Sequence, residues 1–534
     1  MAKKASTRAQ ERRLERLSPF QLKNRLIQLA STPSERMMLN AGRGNPNWTA
    51  LEPRQAFFSL GQFAAAESDR TFGLPNMGGH TQARGMLSRF NRWSAARREQ
   101  AGVAFLRRSL GYVKRELGLS PGAFLAEMVG GILGDNYPTP DRMLSQAEIV
   151  VRKYLDQQMC AGKPPRGRFD LFATEGGTAA MCYIFNSLAE NKLLRKGDKI
   201  ALGTPIFTPY LEIPQLNDYE LIEVEIVGDE HNDWQVPTRE LAKLADPKVK
   251  AFFLVNPSNP PSVSMAPADL KYLAKLVKTK RKDLIILTDD VYGTFVNGFR
   301  SLMATCPHNT ICVYSFSKYF GCTGWRLGVI AIHQNNVFDK AIANLPQKDK
   351  KALNKRYGSV TLDVPSMKLI DRMVADSRAV ALNHTAGLST PQQVQMTLFA
   401  LMELLDKNDR YKAQAQQVVA RRFDDLYQAL ELSYTSSPYD AHYYTTIDVA
   451  ELAQAKFGRD FARWLTKSFE PVDFVLRLAS ERKVVLLPGA GFDAPDWTIR
   501  VSLANLPDEA YVRIGKQIKS LLAEYHRQWS KARK

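Results

Sequence analysis

Between residues 249 and 287 the chain reads as strand, helix, strand. Val249 to Val255 is an apolar run that ends in Asn256-Pro257-Ser258-Asn259-Pro260-Pro261-Ser262, as a buried parallel strand does when it opens into a loop. Leu270, Leu273 and Val277 then fall on one side of a helix from Ala268 to Lys278, and Leu284 to Leu287 forms the next strand. A strand–helix–strand unit of about 40 residues implies a crossover connection and a parallel sheet. Two more β-rich runs, Phe169 to Thr174 and Lys199 to Gly203, precede it, and another, Thr310 to Ser315, follows. The expected class is α/β.

Open sheets of this kind bind ligands outside the carboxyl ends of their strands. Ser317-Lys318 follows the strand Thr310 to Ser315, and Arg326, flanked by Gly324 and Gly328, comes eight residues after the lysine. A lysine there is often a plain loop residue, but a desolvated amine, or one near other cations, can form a Schiff base with an aldehyde. Arginine brings a permanent planar fork suited to phosphate. Pyridoxal phosphate carries both groups.

Other strand ends offer matching parts. Phe169 to Thr174 runs into Glu175-Gly176-Gly177-Thr178 and an apolar helix, Ala179 to Leu188. That is either a tight turn or an anion site made of outward backbone N–H groups. Asp289 and Asp290 follow the strand Leu284 to Leu287, where a carboxylate can hold a pyridinium nitrogen protonated. Arg500 sits in the strand-like Trp497 to Leu503 among apolar neighbours, and a charge in that setting needs a partner.

Ser315, Ser317, Lys318, Gly324, Arg326 and Gly328 together resemble the cofactor-lysine signature of the class I/II aminotransferases, pyridoxal phosphate enzymes of fold type I. Further segments resemble the same family in its own order. Met38 to Trp48, MLNAGRGNPNW, is similar to the glycine strand that passes over the substrate, with Arg43 where the family residue is commonly uncharged. Tyr137, in Asp135-Asn136-Tyr137-Pro138, is similar to the tyrosine that reaches the partner subunit's cofactor phosphate.

The resemblance implies Gly176, Gly177 and Thr178 as phosphate contacts and Phe207 stacked on the pyridine ring. It implies Asn259 and Tyr292 on the 3′-oxygen, Asp289 on the ring nitrogen with Asp290 as the competing carboxylate, and Ser315 and Arg326 as further cofactor contacts. Lys318 would carry the cofactor and act as general base. Arg500 would clamp the substrate α-carboxylate. Pro261-Ser262 stands where the family has Thr-Gly.

The implied architecture is a large domain with a mostly parallel seven-stranded sheet flanked by helices, a smaller α/β domain from both termini, and helical insertions. The expected boundaries are 1–49 for an N-terminal segment contributing to the small domain and active site, and 50–134 for a helical insertion, with Arg84 to Leu117 read as helical. Residues 135–395 would be the large domain, interrupted at about 335–380 by a Lys-rich insertion or mobile excursion, and 396–534 the small domain.

The extra length, Arg43, and the strings NAGRGNPNW, GGILGDNYPTPDRML, TEGGTAAM, NPSNPPS and YSFSKYFGCTGWRLG look like those of the aspartate 4-decarboxylases. That resemblance implies β-decarboxylation of L-aspartate to L-alanine and CO2, with transamination of aspartate to a 2-oxo acid through a shared intermediate. Arg43 and Gly44 would then meet the substrate. It also implies a homodimer as catalytic unit within a larger homo-oligomer, a dodecamer in that family. The alternative is a dicarboxylate aminotransferase without decarboxylase activity.

Composition narrows the rest. A chain of 534 residues allows two or three domains, and it has no run of about 18 apolar residues that could span a bilayer. Its five cysteines read as reduced thiols of a cytoplasmic protein, and no zinc-ligand spacing occurs. The net charge of +19 suits nucleic acid or the steering of small anions. A DNA-binding regulator on this fold needs a helix-turn-helix module of about 60 residues ahead of it, and the glycine strand begins by Asn40, so no nucleic-acid partner is expected. The basic N-terminal stretch reads as a solvated amphipathic helix with Leu14, Leu17, Leu22 and Leu26 on its apolar side, and Lys23 stays outside the candidate site.

Overall fold

The first described strand, β1 (Leu39–Asn40), is followed by β2 (Phe169–Thr174), β3 (Lys199–Thr204), β4 (Ile222–Val227), β5 (Val249–Val255), β6 (Ile285–Asp289), β7 (Thr310–Ser315) and β8 (Gly328–His333). The computed structural model describes residues 8–15, 17, 19–30, 38–76, 78–137, 142–213, 221–378, 387–434 and 436–533. Arg16 of the basic N-terminal stretch, Pro138 of the tyrosine motif and positions 379 and 380 of the second insertion lie outside the described residues. Strands β2 to β8 form a seven-stranded sheet in the order β2-β8-β7-β6-β5-β3-β4. All neighbours are parallel except β8, which is antiparallel to both β2 and β7.

The expected βαβ unit is present: β5 and β6 pair in parallel on either side of the helix Pro267–Thr279. Every residue of β2, β6, β7 and β8 is buried, because helices cover both faces of the sheet. Such strands read as continuous apolar runs rather than alternating ones. The edge strand β4 is different. Its Glu223 and Glu225 lie among exposed and half-buried neighbours, which is how an unpaired edge is kept from templating another chain.

The antiparallel β8 matters for the site. Its amino end lies at the same edge as the carboxyl ends of its neighbours, since Gly328 pairs with both Thr174 and Ser315. The residues just before β8, Arg326 among them, therefore join the loops that follow β2, β3, β5, β6 and β7.

Helices α1 (Arg8–Glu15) and α2 (Pro19–Ala30) replace the single N-terminal helix that the leucine spacing suggests. Leu22 and Leu26 are buried on α2 as expected. The stretch 50–134 carries the helices α3 (Glu52–Phe72), α4 (Met86–Ala95), α5 (Ala101–Leu117) and α6 (Pro121–Leu133). Arg84 to Leu117 is not one helix, because a turn at Ala96 to Gln100 separates α4 from α5. Glu127 on α6 accepts the N–H groups of Gln146 and Ala147 at the start of α7 (Ser145–Met159), which fastens the insertion to the sheet-flanking layer.

The described part of the Lys-rich stretch at about 335–380 is largely helical. It forms the helices Val337–Ala343, Gln347–Tyr357 and Leu369–Asp376, and the last packs on α8 (Gly177–Glu190). Asp376 there accepts from Ser187, Tyr357 and Arg356, and the buried Arg372 donates to Asn191 and two backbone carbonyls. Surface lysines on Gln347–Tyr357 made this segment look solvated, while its anchoring groups are spread too widely to form a pattern.

The C-terminal region adds β9 (Tyr444–Asp448), β10 (Val484–Val485), β11 (Leu487–Pro488) and β12 (Thr498–Ser502). β11, β12 and β9 form an antiparallel sheet in that order, and β1 pairs in parallel with β10. Ser502 N–H donates to Ala41 O at 2.8 Å, and Asn505 Nδ2 to Asn40 O at 2.6 Å. The segment around β1 is thereby joined to the strands of the C-terminal region, and Gly42 O accepts from Arg500 of β12.

Candidate active site

A cavity of about 450 Å³ opens at the carboxyl edge of the large sheet, and the predicted residues Gly177, Thr178, Phe207, Asn259, Asp289, Tyr292, Ser315, Lys318, Arg326, Arg500, Arg43 and Gly44 line it. Two predicted residues are not brought into it. Gly176 sits one step back, at the N-terminus of α8, and Tyr137 is 73% exposed on the surface of its own chain.

Lys318 donates from Nζ to Gly44 O at 3.1 Å. The turn that carries it is pinned, because Tyr319 O accepts from Trp48 Nε1 at 3.0 Å and from the Tyr411 hydroxyl at 2.8 Å. Gly44 must be glycine, since a Cβ there would lie 2.3 Å from the Tyr444 hydroxyl.

Asp289 is the last residue of β6 and is buried. Its Oδ2 accepts from the Tyr210 hydroxyl at 2.6 Å and its Oδ1 from the Val291 N–H at 3.1 Å. Burial pushes its carboxyl up to about 6, and these two hydrogen bonds and the Lys318 charge hold it from rising further. Asp290 turns away from the cavity to accept from Thr288 Oγ1 and Cys312 Sγ, and burial pushes it up to about 7. Of the two carboxylates, only Asp289 can meet a ligand.

Arg326 lies at the N-terminus of α8. Its guanidinium donates to Thr323 O at 2.9 Å and Glu175 O at 3.3 Å. Two glycines make room for this: a Cβ on Gly176 would stand 2.5 Å from Arg326 Nη2, and one on Gly328 would stand 2.6 Å from the Gly176 backbone. Free helix N–H groups and a planar cation then face the same space, which suits a phosphate.

Arg500 projects from β12 between the rings of Tyr444 and Phe492, 4.4 and 4.6 Å from their centroids. It donates to Asn259 Oδ1 at 3.1 Å and Gly42 O at 2.9 Å, while its buried Nε has no hydrogen-bond partner. Among the described residues no carboxylate pairs with it. A charge in this strand requires a partner, and among the described residues no structural ion pair supplies one for Arg500.

Ser262, in place of the glycine usual in the Asn-Pro loop, adopts the left-handed conformation with φ 71°. Its Oγ accepts the N–H groups of Tyr443 at 3.0 Å and Tyr444 at 3.2 Å, so its side chain bridges the loop after β5 and the start of β9.

Sequence reasoning missed Tyr210 and Tyr444, and it weighed Lys23 as a weaker candidate but left it outside the site. Tyr210 stands three residues after Phe207, and no periodicity marks it. Tyr444 reaches the site only because β9 pairs with β12. Lys23 comes from α2 and lines the cavity beside Arg43, where burial first, and the cations Arg43 and Arg500 next, hold it below its ordinary value.

A lysine, a buried carboxylate, and an arginine beside a helix N-terminus, set at the carboxyl edge of a sheet with this strand order, define a fold-type I pyridoxal phosphate enzyme. The sequence pattern of the family "Aminotransferase class I and II" matches residues 173–518. A bifunctional aspartate aminotransferase and L-aspartate beta-decarboxylase of a Pseudomonas species is 52% identical over 520 residues, covering 97% of this chain and 98% of its own. An aspartate aminotransferase of Bacillus sp. (strain YM-2) is 23% identical over 61% of this chain and 72% of its own. In fold, the aromatic aminotransferase from Pyrococcus horikoshii OT3 matches with a TM-score of 0.58 at 17% identity, covering 94% of this chain and 99% of that one. An aspartate aminotransferase double mutant from Thermus thermophilus matches with a TM-score of 0.54 at 18% identity, covering 98% and 97%. The chain belongs to the class I and II aminotransferase family.

Pyridoxal phosphate is the cofactor of that family, and the residues present fit it. A cation and helix N–H groups stand ready for the phosphate, Lys318 for the aldehyde, and Asp289 for the ring nitrogen. The unsatisfied Arg500 Nε leaves a donor for a substrate carboxylate.

Proposed function

We propose that the protein is a pyridoxal phosphate-dependent β-decarboxylase of L-aspartate, giving L-alanine and CO2, with aspartate aminotransferase activity at the same site. The observation that carries this is the 52% identity to the bifunctional enzyme over 97% of the chain. That match includes most of the chain ahead of residue 173, where the general family pattern begins.

In this reading the cofactor supplies an aldehyde and an electron-withdrawing ring, which weaken bonds at the substrate's Cα and then the bond between Cβ and its carboxylate. The chain does the rest. Lys318, released from the cofactor by the incoming amine, takes and returns the Cα proton. Asp289 keeps the ring nitrogen protonated, Asn259 and Tyr292 donate to the ring 3′-oxygen, and Phe207 forms the ring's wall. Gly176, Gly177, Thr178, Ser315 and Arg326 hold the phosphate end.

Arg500 orients the α-carboxylate through two N–H groups. Arg43, exposed at the mouth beside Gly44, draws the second carboxylate in without locking it. Tight ground-state binding of that group would oppose its departure. Tyr137, outside the cavity of its own chain, serves the site of a second copy, so a homodimer is the catalytic unit, assembled further into a larger homo-oligomer in the cytoplasm. The pairing of β1 with β10 supports a small domain built from residues 1–49 and 396–534 around a large domain of 135–395, with the helices of 50–134 and about 335–380 as additions.

The test is alanine and CO2 release from L-aspartate by the purified protein with pyridoxal phosphate and no 2-oxo acid. Many turnovers of alanine are expected. One equivalent of oxaloacetate followed by arrest would make it an aspartate aminotransferase instead.

A further inference from the structure

Three phenols line the cavity, and two have their protons engaged. Tyr210 donates to Asp289 Oδ2 at 2.6 Å. Tyr292 accepts from Asn259 Nδ2 at 3.5 Å and donates to the Tyr444 oxygen at 3.2 Å. Tyr444 ends this relay. Its oxygen accepts, and among the described residues no acceptor stands opposite its own O–H, which is left to the cavity.

The position of that hydroxyl is defined from two sides. A Cβ built on Gly44 would lie 2.3 Å from the Tyr444 oxygen and 3.3 Å from Lys318 Nζ, so phenol and amine both stand beside Gly44. The Tyr444 ring carries the Arg500 guanidinium 4.4 Å from its centroid. A substrate with its α-carboxylate on Arg500 and its Cα before Lys318 would hold its Cβ in the cavity that the Tyr444 hydroxyl also lines.

We propose that Tyr444 is a further catalytic residue, the acid that delivers the proton replacing CO2 on the substrate's β-carbon. This rests on the decarboxylase reading. The bond between Cβ and the carboxylate carbon breaks, CO2 leaves, and the electron pair ends on Cβ. The Tyr444 O–H bond breaks, its proton forms the new C–H bond, and the phenolate recovers a proton from water at the cavity mouth. In sum, aspartate and one proton become alanine and CO2.

With the cofactor bound the Tyr292 proton is turned to the ring 3′-oxygen, and the Arg500 cation, 4.4 Å from the Tyr444 ring centroid, is the charge that balances the phenol's oxygen during the transfer. Lys318 is the rival donor, because it becomes an ammonium after taking the Cα proton. That proton must return to Cα, however, and a separate acid at Cβ lets adjacent carbons be protonated by different groups.

The experiment measures the ratio of alanine to oxaloacetate formed from L-aspartate by the holoenzyme and by Tyr444→Phe, alongside succinate binding followed through the absorbance of the lysine-bound cofactor. The expected result is a ratio at least tenfold lower in the variant, with no matching loss of succinate affinity. A second protein carries 3,5-difluorotyrosine at position 444, which keeps the shape and lowers the phenol's pKa. Its alanine ratio should lose its alkaline limb at lower pH than the wild type.

A Tyr444→Phe ratio within twofold of wild type, an unmoved limb, or a fall in the ratio matched by lost succinate affinity overturns the proposal. In each of those cases alanine from the wild type keeps the decarboxylase reading standing. Wild-type protein that makes no alanine overturns both.

Discussion

Tyr210 and Asp289, both buried, are joined by a 2.6 Å hydrogen bond in which the phenol donates to the carboxylate. The same turn carries Phe207, so one short segment after β3 supplies both an aromatic wall of the cavity and a brace for the carboxylate. Burial alone would favour the neutral acid, and the Tyr210 proton opposes that.

Tyr210→Phe removes this brace. A hydrogen bond to a buried charge is worth about 1.5–3 kcal/mol, so the Asp289 carboxyl should rise above its present value and pyridoxal phosphate should bind at least about tenfold more weakly near neutral pH. Titration of the apoprotein by absorbance measures this, and unchanged affinity would show that Asp289 needs no help from the phenol.

Asp289 sets a pH dependence of its own. Its carboxyl is raised to about 6 in the folded protein without ligand. Above that pH it is the anion that a protonated ring nitrogen requires, and below it the proton neutralises it. The dissociation constant for pyridoxal phosphate should therefore weaken by about tenfold between pH 7 and pH 5. In Asp289→Asn that dependence should flatten, so subtracting the two profiles isolates Asp289 from the cofactor's own titrations.

In the proposed reading Lys318→Ala removes both the attachment point and the base at Cα. The absorbance of the lysine-bound cofactor should vanish, and turnover should fall by about 10³-fold or more. Full activity in this variant would sink the site as a whole.

Arg500→Lys keeps the charge but loses the planar fork. The ammonium cannot span Asn259, Gly42 and a carboxylate together, so the KM for aspartate should rise about 10- to 100-fold, with a smaller fall in kcat. Steady-state kinetics on aspartate distinguishes this from a loss of fold, in which both constants would collapse.

Glu403 tests stability rather than chemistry. It lies under Tyr319, accepting that hydroxyl at 2.8 Å, and burial raises its carboxyl from 4.5 to about 7. A raised acid stabilises the folded state fully below the unfolded value and loses that contribution as pH climbs through the folded one. Over this window the loss is about 3 kcal/mol. Glu403→Gln should unfold at higher denaturant than wild type at pH 8, and the difference should shrink or reverse at pH 5.

Much of the site was legible because chemistry at a strand end is local. Lys318, Asp289, Asn259 and the Gly176-Gly177-Thr178 turn each follow a recognisable strand, and the sheet places the carboxyl ends of β2, β5, β6 and β7 on one edge. Arg326 was legible for the same reason, although β8 itself had not been singled out. The insertions were harder. The turn between α4 and α5 has no glycine or proline to announce it, and the anchors of the second insertion, Arg372 and Asp376, find partners nearly two hundred residues away.

The sequence by itself determined the α/β class, the cofactor-binding string around Lys318, and the identity of the chemical groups, because each depends on neighbours along the chain. Only the tertiary structure decided which charge lacks a partner, which carboxylate faces the cavity, and which phenols reach it. Arg500 could have been half of an ion pair, and Asp290 could have been the ring's partner. Tyr444 had no local sign of belonging, and Lys23 read as a solvated lysine. Those outcomes follow from β1 pairing with β10, β9 with β12, and α2 lying against them, contacts between segments more than four hundred residues apart in the cases of β1 and α2. Such contacts are set by packing and hydrogen bonding across the whole fold, and no short stretch of sequence records them.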